Sequence, residues 1–459
     1  MPIFTIECVL PASADEAFAW HARPGALERL TPPWERVQVL SHRGLGIMDG
    51  ARVELAVRFG PFTRRWLALH ENYVVGRQFG DRQLSGPFHK WVHLRRFIPI
   101  DDHSCRHVEE IEYQLPTGRL AQRLLGGWVE RRLARAFTYR HETLARDLRR
   151  HGDFPEPSRL RVAVTGATGL IGGRLCDFLS TGGHEVLRIV RRPSGRADEV
   201  LWEPARGSID ADRLEGVDAV VHLAGEIIAA GRWTPERKRR LRDSRVEVTR
   251  LLCETLAGLR RPPRALIAAS AIGYYGDRGE DWVDEESPPG EGFLPEMCVA
   301  WEAAAEPARR AGLRVAQLRI GVVLSGAGGA LAALRPLFRL GLGGRLGSGR
   351  QYFSWIEIDD LLGAIHFLLA RDDLAGAFNA TAPEAVSNAD FTRALARALR
   401  RPVGPPAPGV LLRLALGELG AELLRGARVR PARLTAAGFR FDYPALAPAL
   451  RRQLGAAEQ

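Results

Sequence analysis

Residues 160–173 read LRVAVTGATGLIGG. An apolar run closes at Thr165, and glycines follow at Gly166, Gly169 and Gly172. The run reads as a buried strand, and the residues after it read as the first turn of a helix. In such a strand–turn–helix the first glycine permits the tight turn. The second lets backbone approach a pyrophosphate, and the third lets helix and strand pack closely. The helix N-terminus then offers free N–H groups to phosphates. Glycine spacing alone is weak evidence; its position between a strand and a helix makes it a dinucleotide-binding signal.

The residues that follow keep the alternation. EVLRIVRR, DAVVHLAG, RALIAAS and LRVAQLRIGVVL are near-continuous apolar runs separated by helical patterns. Buried parallel strands read this way. The expected architecture is α/β, a doubly wound parallel-sheet Rossmann domain. NAD-specific sites place an acidic residue at the end of the second strand. Here that strand ends in Arg191 and Arg192, and no carboxylate follows until Asp198. Guanidinium groups suit a 2′-phosphate, so the expected cofactor is NADP(H). The expected contacts in the loop are Gly166, Thr168, Gly169, Leu170, Ile171 and Gly172, with Arg191 and Arg192 beyond it.

Upstream, the polar stretch HGDFPEPSRL (residues 151–160) marks a domain boundary. The segment before it opens with a strand, IFTIECVL, and a helix, SADEAFAWHA, with Ser13 as N-cap. Four alternating, strand-like runs follow: ARVELAVRF, RWLALHENYVV, KWVHLRRFIPI and SCRHVEEIEYQL. A closing amphipathic helix over 126–152 is expected to align Trp128, Leu133, Phe137, Leu144 and Leu148 near one face. A softer boundary falls in RRPVGPPAPG, residues 400–409. The expected domains are therefore 1–152, 159–400 and 401–459.

Composition bounds the function classes. The 459 residues carry a net charge of +11, but arginine supplies nearly all of it and acidic residues are interspersed. The densest basic run is RKRRLRDSR, residues 237–245. Neither nucleic-acid binding nor membrane insertion is expected; GVLLRLALGELGAELL (409–424) is interrupted by Arg413, Glu418 and Glu422 and reads as an amphipathic helix. Five scattered cysteines without a C-x-x-C pair suggest neither disulfides nor zinc, and no metal is expected. The N-terminus lacks a signal pattern, which fits a cytoplasmic protein, monomeric or homodimeric.

The order of elements in the first segment and its YRHETLARDL ending resemble the START-like family, an α+β helix-grip fold that includes polyketide cyclases. That resemblance implies an apolar ligand between sheet and helix; a filled core is the alternative. From about Leu160 onward the chain resembles the extended short-chain dehydrogenase/reductase superfamily. Within it, the chain resembles the atypical group known as epimerase family proteins. The segments AGEIIAAGRWTPERKRRLRDSRVEVTRLL, SAIGYYGDRGEDWVDEESPPGEGFLPEMCVAWEAAA and GSGRQYFSWIEIDDLLGAI carry it. The last 60 residues resemble that group's small C-terminal domain, which completes the substrate lobe. The resemblance implies that Leu223, Ala224 and Gly225 lie beside the cofactor ribose and that Ser270 lies near a small-molecule substrate.

The superfamily's usual acid–base pair is Tyr-x-x-x-Lys. Only Lys90 and Lys238 are lysines, and neither follows a tyrosine at that spacing. Cys298 and Glu302 stand in the corresponding place. Glu302 could accept from ribose hydroxyls as a cofactor contact, while Cys298 reads as a packing residue. Ser270, Tyr274 and Tyr275 are the catalytic candidates, with the carboxylates of DRGEDWVDEE (277–286) as further proton carriers and Arg232 and Trp233 as cleft residues. Two readings stay open: an NADP(H)-dependent oxidoreductase or epimerase without the usual pair, or a non-catalytic NADPH-binding sensor or interaction module.

Overall fold

The computed structural model describes residues 2–59, 62–116, 119–153 and 159–456. The chain divides into two compact units, one over 1–159 with 177–183, the other over the rest of 160–458. The central residues of the 151–160 stretch lie outside the described residues.

In the first unit seven strands form one antiparallel sheet. Ser13 caps the helix Ala14–Ala22 by accepting from the Glu16 amide at 3.2 Å. The long helix Arg119–His151 then packs over the sheet. Two strands, Val37–Arg43 and Gln78–Ser85, and a short helix, Ala26–Leu30, had no clear sequence signal. That helix is held by tertiary contact: the Arg29 guanidinium donates to both carboxylate oxygens of Asp147, at 2.8 and 2.6 Å, with both side chains 1% exposed.

The helix face needs one correction. Phe137, Leu144 and Leu148 are buried, but Trp128 is 53% exposed and lies under the Arg132 guanidinium. Residues 128 and 137 are nine apart, two and a half helical turns, so they point in opposite directions. Val129 takes the inward place instead. The space between sheet and helix is not uniformly apolar either, because His93, His107, Glu109 and His141 are all buried there.

The second unit is built on an eight-stranded sheet. Its order is Ser208–Ile209, Glu199–Glu203, Glu185–Val190, Arg161–Thr165, Ala219–His222, Ala265–Ala271, Arg314–Ile320, Gly376–Ala380. All neighbours pair in parallel except the first two. The chain winds one way from Arg161–Thr165 and then the other way from Ala219–His222, which leaves a crevice at their carboxyl ends. Val162, Val164, Val220, Leu266, Ile267 and Leu318 are fully buried. Each such side chain contributes about 1.5–3 kcal/mol relative to exposure.

Beyond the sheet, the run ending in GVVL breaks at Gly321. Val322–Leu324 pairs instead with Trp355–Glu357. Residues after 401 share a core with those before it: Leu446, Ala449 and Leu450 pack with Leu331, Trp355, Phe391 and Leu395. The Asp360 carboxylate also accepts from the amides of Asp442 and Tyr443, each at 2.9 Å. Within 409–424 the helix stops at Leu416, because Gly417 has φ +63°, and a second short helix restarts at Glu418. No helix of the described residues is long and apolar enough to cross a membrane.

Candidate functional site

The glycine loop sits at the carboxyl end of Arg161–Thr165, against the segment that leaves Ala219–His222. Gly166 has φ +67°, and a Cβ there would lie 2.9 Å from the Leu223 carbonyl oxygen. A Cβ on Gly172 would lie 2.3 Å from the Gly166 carbonyl oxygen, so nothing larger fits where helix crosses loop. Gly169 differs. It is exposed, its amide closes the turn on the Gly166 carbonyl at 2.8 Å, and only that carbonyl limits a Cβ. Thr168 is also exposed, Leu170 and Ile171 are half-buried, and the Leu170 side chain reaches toward Gly328 and Gly329.

A buried polar chain fixes the two sides of this crevice. Thr165 Oγ1 accepts from the amides of Leu223 and Ala224, at 3.0 and 3.1 Å, and lies 2.8 Å from His222 Nδ1. His222 Nε2 lies 3.0 Å from Thr249 Oγ1, which accepts from Trp301 Nε1 at 2.9 Å. Burial lowers the pKa of His222 to about 4. Gly225 abuts the Arg245 guanidinium, which donates to the Glu226 carbonyl and lies over the Trp301 ring. Arg245 ends the basic run 237–245, and its burial removes it from any surface patch. Sequence reading did not pick out Thr165, His222, Thr249 or Trp301 as a network, because their spacing makes no local pattern.

At the end of the second strand Arg191 and Arg192 are both exposed, and neither has an ion-pair or hydrogen-bond partner among the described residues. The nearest downstream carboxylate, Asp198, is already held by Arg188 and Arg196 at 2.9–3.2 Å. Those guanidiniums hold its pKa below the usual value, although burial opposes them.

The region where the usual acid–base pair would stand is organised around a side chain that sequence reading did not single out, Arg319. It lies next to the carboxyl end of the strand Arg314–Ile320 and is 4% exposed. An arginine set between apolar Leu318 and Ile320 was the available signal. Its guanidinium grips Glu302 with two bonds, Nε to Oε1 at 2.9 Å and Nη2 to Oε2 at 3.0 Å. Ser270 Oγ donates to Glu302 Oε1 at 2.7 Å. The Glu302 carboxylate therefore already accepts three hydrogen bonds, of about four it can take. Paired in this way, Arg319 is held more firmly charged than an ordinary arginine, despite partial burial.

The tyrosines flank this ion pair differently. Tyr275 is fully buried; its hydroxyl donates to Asn379 Oδ1 at 2.7 Å and accepts from Arg319 Nη1 at 3.0 Å. Burial pushes its pKa up to about 12. Tyr274 is half-buried, and the Arg319 guanidinium carbon stands 3.5 Å above its ring centre, a close cation–π contact. Its hydroxyl has no hydrogen-bond partner among the described residues. Cys298 is fully buried; burial, with Glu302 adding to it, pushes its thiol to about 12.

The side chains of Asp284, Glu285 and Trp233 are committed to other partners. Asp284 is paired with Arg430 at 2.6 Å. Glu285 accepts from the amides of Asn379 and Arg433. Trp233 is buried with Met297 and Leu419, and its indole donates to the Ile228 carbonyl. Arg232 is exposed beside Gly417.

Three family models match the chain. Residues 10–139 match polyketide cyclase / dehydrase and lipid transport, residues 162–380 match the NAD dependent epimerase/dehydratase family, and residues 407–453 match a domain of unknown function. An epimerase family protein of Mycobacterium bovis is 47% identical over 290 residues, which cover 63% of this chain and 96% of that one. A crystal structure described as the nucleoside-diphosphate sugar epimerase of Corynebacterium glutamicum superposes with a TM-score of 0.81 at 32% identity, covering 98% of this chain and 90% of that one. The crystal structure of the human epimerase family protein SDR39U1 (isoform 2) with NADPH gives 0.59 at 33% identity, over 64% of this chain and 99% of that one.

Proposed function

The chain belongs to the NAD-dependent epimerase/dehydratase family, with a polyketide-cyclase-like unit ahead of it, and on that premise we propose that its second unit binds NADPH and catalyses hydride transfer to or from a carbonyl or sugar carbon of a small molecule. The residues fit the cofactor. Gly172 leaves room only for a glycine at the loop–helix crossing, and Gly169 leaves the backbone open to a pyrophosphate. Leu223 and Ala224 lie against the loop, and Gly225 follows them in the chain. Arg191 and Arg192 are unpaired where a 2′-phosphate would lie, which supports NADPH over NADH. When bound, the nicotinamide supplies the hydride donor or acceptor.

What the chain's own residues do follows from the ion pair. Glu302 and Arg319 together carry no net charge, so they replace the tyrosine–lysine pair with a rigid polar wall. Ser270 spends its proton on Glu302, which leaves its oxygen to accept from a substrate hydroxyl. Tyr274 is the one member of the group with an uncommitted hydroxyl, and its ring is held flat by Arg319. It is the donor best placed to polarise a substrate oxygen. Tyr275 and Cys298 act as packing. The observation that carries this reading is the free Tyr274 hydroxyl beside the Ser270–Glu302–Arg319 cluster.

The Glu302 carboxylate, already holding three hydrogen bonds, also favours a second reading, a non-catalytic NADPH-binding module. One experiment separates them. The pure chain is incubated with NADPH and a panel of carbonyls and nucleotide sugars, following cofactor absorbance and product by mass spectrometry. Turnover that drops at least tenfold in Tyr274→Phe, with NADPH affinity kept, supports the enzyme. Tight NADPH binding with no turnover on any member supports the module. Equal affinity for NADH and NADPH, or no loss of NADPH affinity in Arg191→Ala/Arg192→Ala, would remove the cofactor assignment.

A further inference from the structure

The interior of the first unit holds a second cluster of chemistry-bearing side chains. His107 and Glu109 are two residues apart on the strand Ser104–Gln114 and so face the same side of the sheet. The helix Arg119–His151 brings His141 onto that face. All three are buried. Glu109 Oε1 lies 3.0 Å from His141 Nε2 and 3.4 Å from His107 Nε2. The three ligand atoms lie within 4.8 Å of one another.

The hydrogen bonds around the cluster leave an electrostatic problem at its centre. His107 Nδ1 lies 3.3 Å from the Arg96 carbonyl, which can only accept. With the proton on Nδ1, the tautomer that the Arg96 carbonyl favours, the lone pair falls on Nε2. That Nε2 is buried and makes no hydrogen bond among the described residues. It faces a carboxylate oxygen, another acceptor. Two acceptors converging in a buried place are unfavourable unless something positive lies between them. Arg95 does not fill that role. Its Nη1 is bound to Asp81 at 2.8 Å, its guanidinium lies over Phe79, and its Nε is 3.7 Å from the other Glu109 oxygen. Arg140 lies over Phe137. The neighbouring His21 imidazole donates from Nδ1 to the Ala17 carbonyl at 2.9 Å.

From this geometry we propose that His107, Glu109 and His141 form a binding site for a divalent first-row transition-metal ion, zinc foremost, with at least one coordination position left for another ligand. Two imidazole nitrogens and one carboxylate oxygen are a donor set for such ions. Ligand atoms around a tetrahedral ion at about 2.0–2.1 Å stand about 3.3 Å apart, and the 3.0 and 3.4 Å separations here bracket that value. The outer contacts are those that orient metal ligands. The Arg96 carbonyl fixes the His107 tautomer, and His93 Nε2 holds Glu109 Oε2 at 2.6 Å, which turns Oε1 toward the two histidines. No local spacing announced this site, because His141 is 32 residues from Glu109 in sequence.

The test uses the full chain without an affinity tag, stripped with a chelator and titrated with Co²⁺. One equivalent should give tetrahedral ligand-field bands in the visible, which one equivalent of Zn²⁺ erases. His107→Gln and His141→Gln should each weaken binding at least a hundredfold while NADPH affinity stays unchanged. Zn²⁺ should also raise the unfolding temperature of the wild type, which keeps the proposal testable if a variant fails to fold. Absence of bands together with absence of a Zn²⁺ shift overturns it. Bands that persist in both folded variants overturn it as well, and the cluster is then a buried hydrogen-bond network.

Discussion

The glycine loop and the Glu302 cluster lie in the same unit and are built on opposite plans. The loop is a backbone device: Gly166, Gly169 and Gly172 work because they lack side chains, and all three fall within seven consecutive residues. The cluster is a side-chain device. Ser270, Tyr274, Tyr275, Glu302 and Arg319 come from two strands, a short turn and a helix, and they meet only in the folded sheet. A backbone device is legible in sequence and intolerant of added atoms. A side-chain device is hard to read and depends on charge balance.

The largest effect should come from the loop. Gly172→Val would push a branched side chain into the Gly166 carbonyl, 2.3 Å from the new Cβ. NADPH binding should fall more than a hundredfold, and the unfolding temperature should fall with it. Gly169→Val meets nothing closer than 3.1 Å. It should lose NADPH binding while keeping the unfolding temperature within a few degrees. If both variants lose stability equally, the loop's division of labour is wrong.

The cluster is broken through charge. Arg319→Met leaves the Glu302 carboxylate without its cation, in a pair whose side chains are 5% and 13% exposed. Removing one partner of a buried pair costs about 3–5 kcal/mol, readable by urea unfolding. Adding Glu302→Leu should restore much of it, because the orphaned charge goes too. The exchange Cys298→Tyr with Glu302→Lys would restore the usual spacing on paper. In the fold it places a lysine against Arg319 and a ring where a fully buried thiol packs 3.8 Å from the Cβ position of Gly273. It should destabilise the unit by several kcal/mol, on the order of an overpacked core plus a broken pair, without carbonyl reductase activity. A folded, active double variant would show that the cluster is more plastic than its contacts indicate.

A smaller effect concerns alkaline pH. Burial holds Tyr275, Cys298 and Cys253 at about 12 in the folded chain, against roughly 8.5 for a free thiol and 10 for a free phenol. Between those values the unfolded chain has released its protons and the folded chain has not. Stability therefore falls as pH rises above about 8.5, by up to ~1.4 kcal/mol per pH unit for each group. Calorimetry from pH 7.5 to 10.5 measures it. The smallest effect is chemical: Cys298 should resist iodoacetamide in the native chain at pH 8, checked by peptide mass spectrometry. Rapid native alkylation at Cys298 would show that the helix Phe293–Ala303 opens.

Legibility followed the range of each interaction. The Ser13 cap could be read because its bond spans three residues. The five main parallel strands could be read because burial on both faces leaves continuous apolar runs. The face of the long helix was misjudged at Trp128, where a large apolar residue lay half a turn off the buried stripe. The short helix around Arg29 was invisible because its partner, Asp147, lies 118 residues away.

The sequence by itself determined the doubly wound sheet, the glycine loop and the missing tyrosine–lysine pair. Each rests on local chemistry: a run of apolar side chains, three absent ones, or the lack of lysine at a fixed spacing. Only the tertiary structure decided that Glu302 is clamped by Arg319 and that Tyr274 is uncommitted while Tyr275 is buried. It alone brought His107 and Glu109 to His141. Charge pairing and metal-type geometry depend on distances between atoms that the chain order does not fix, and folding sets those distances by packing strands and helices whose residues are far apart along the chain.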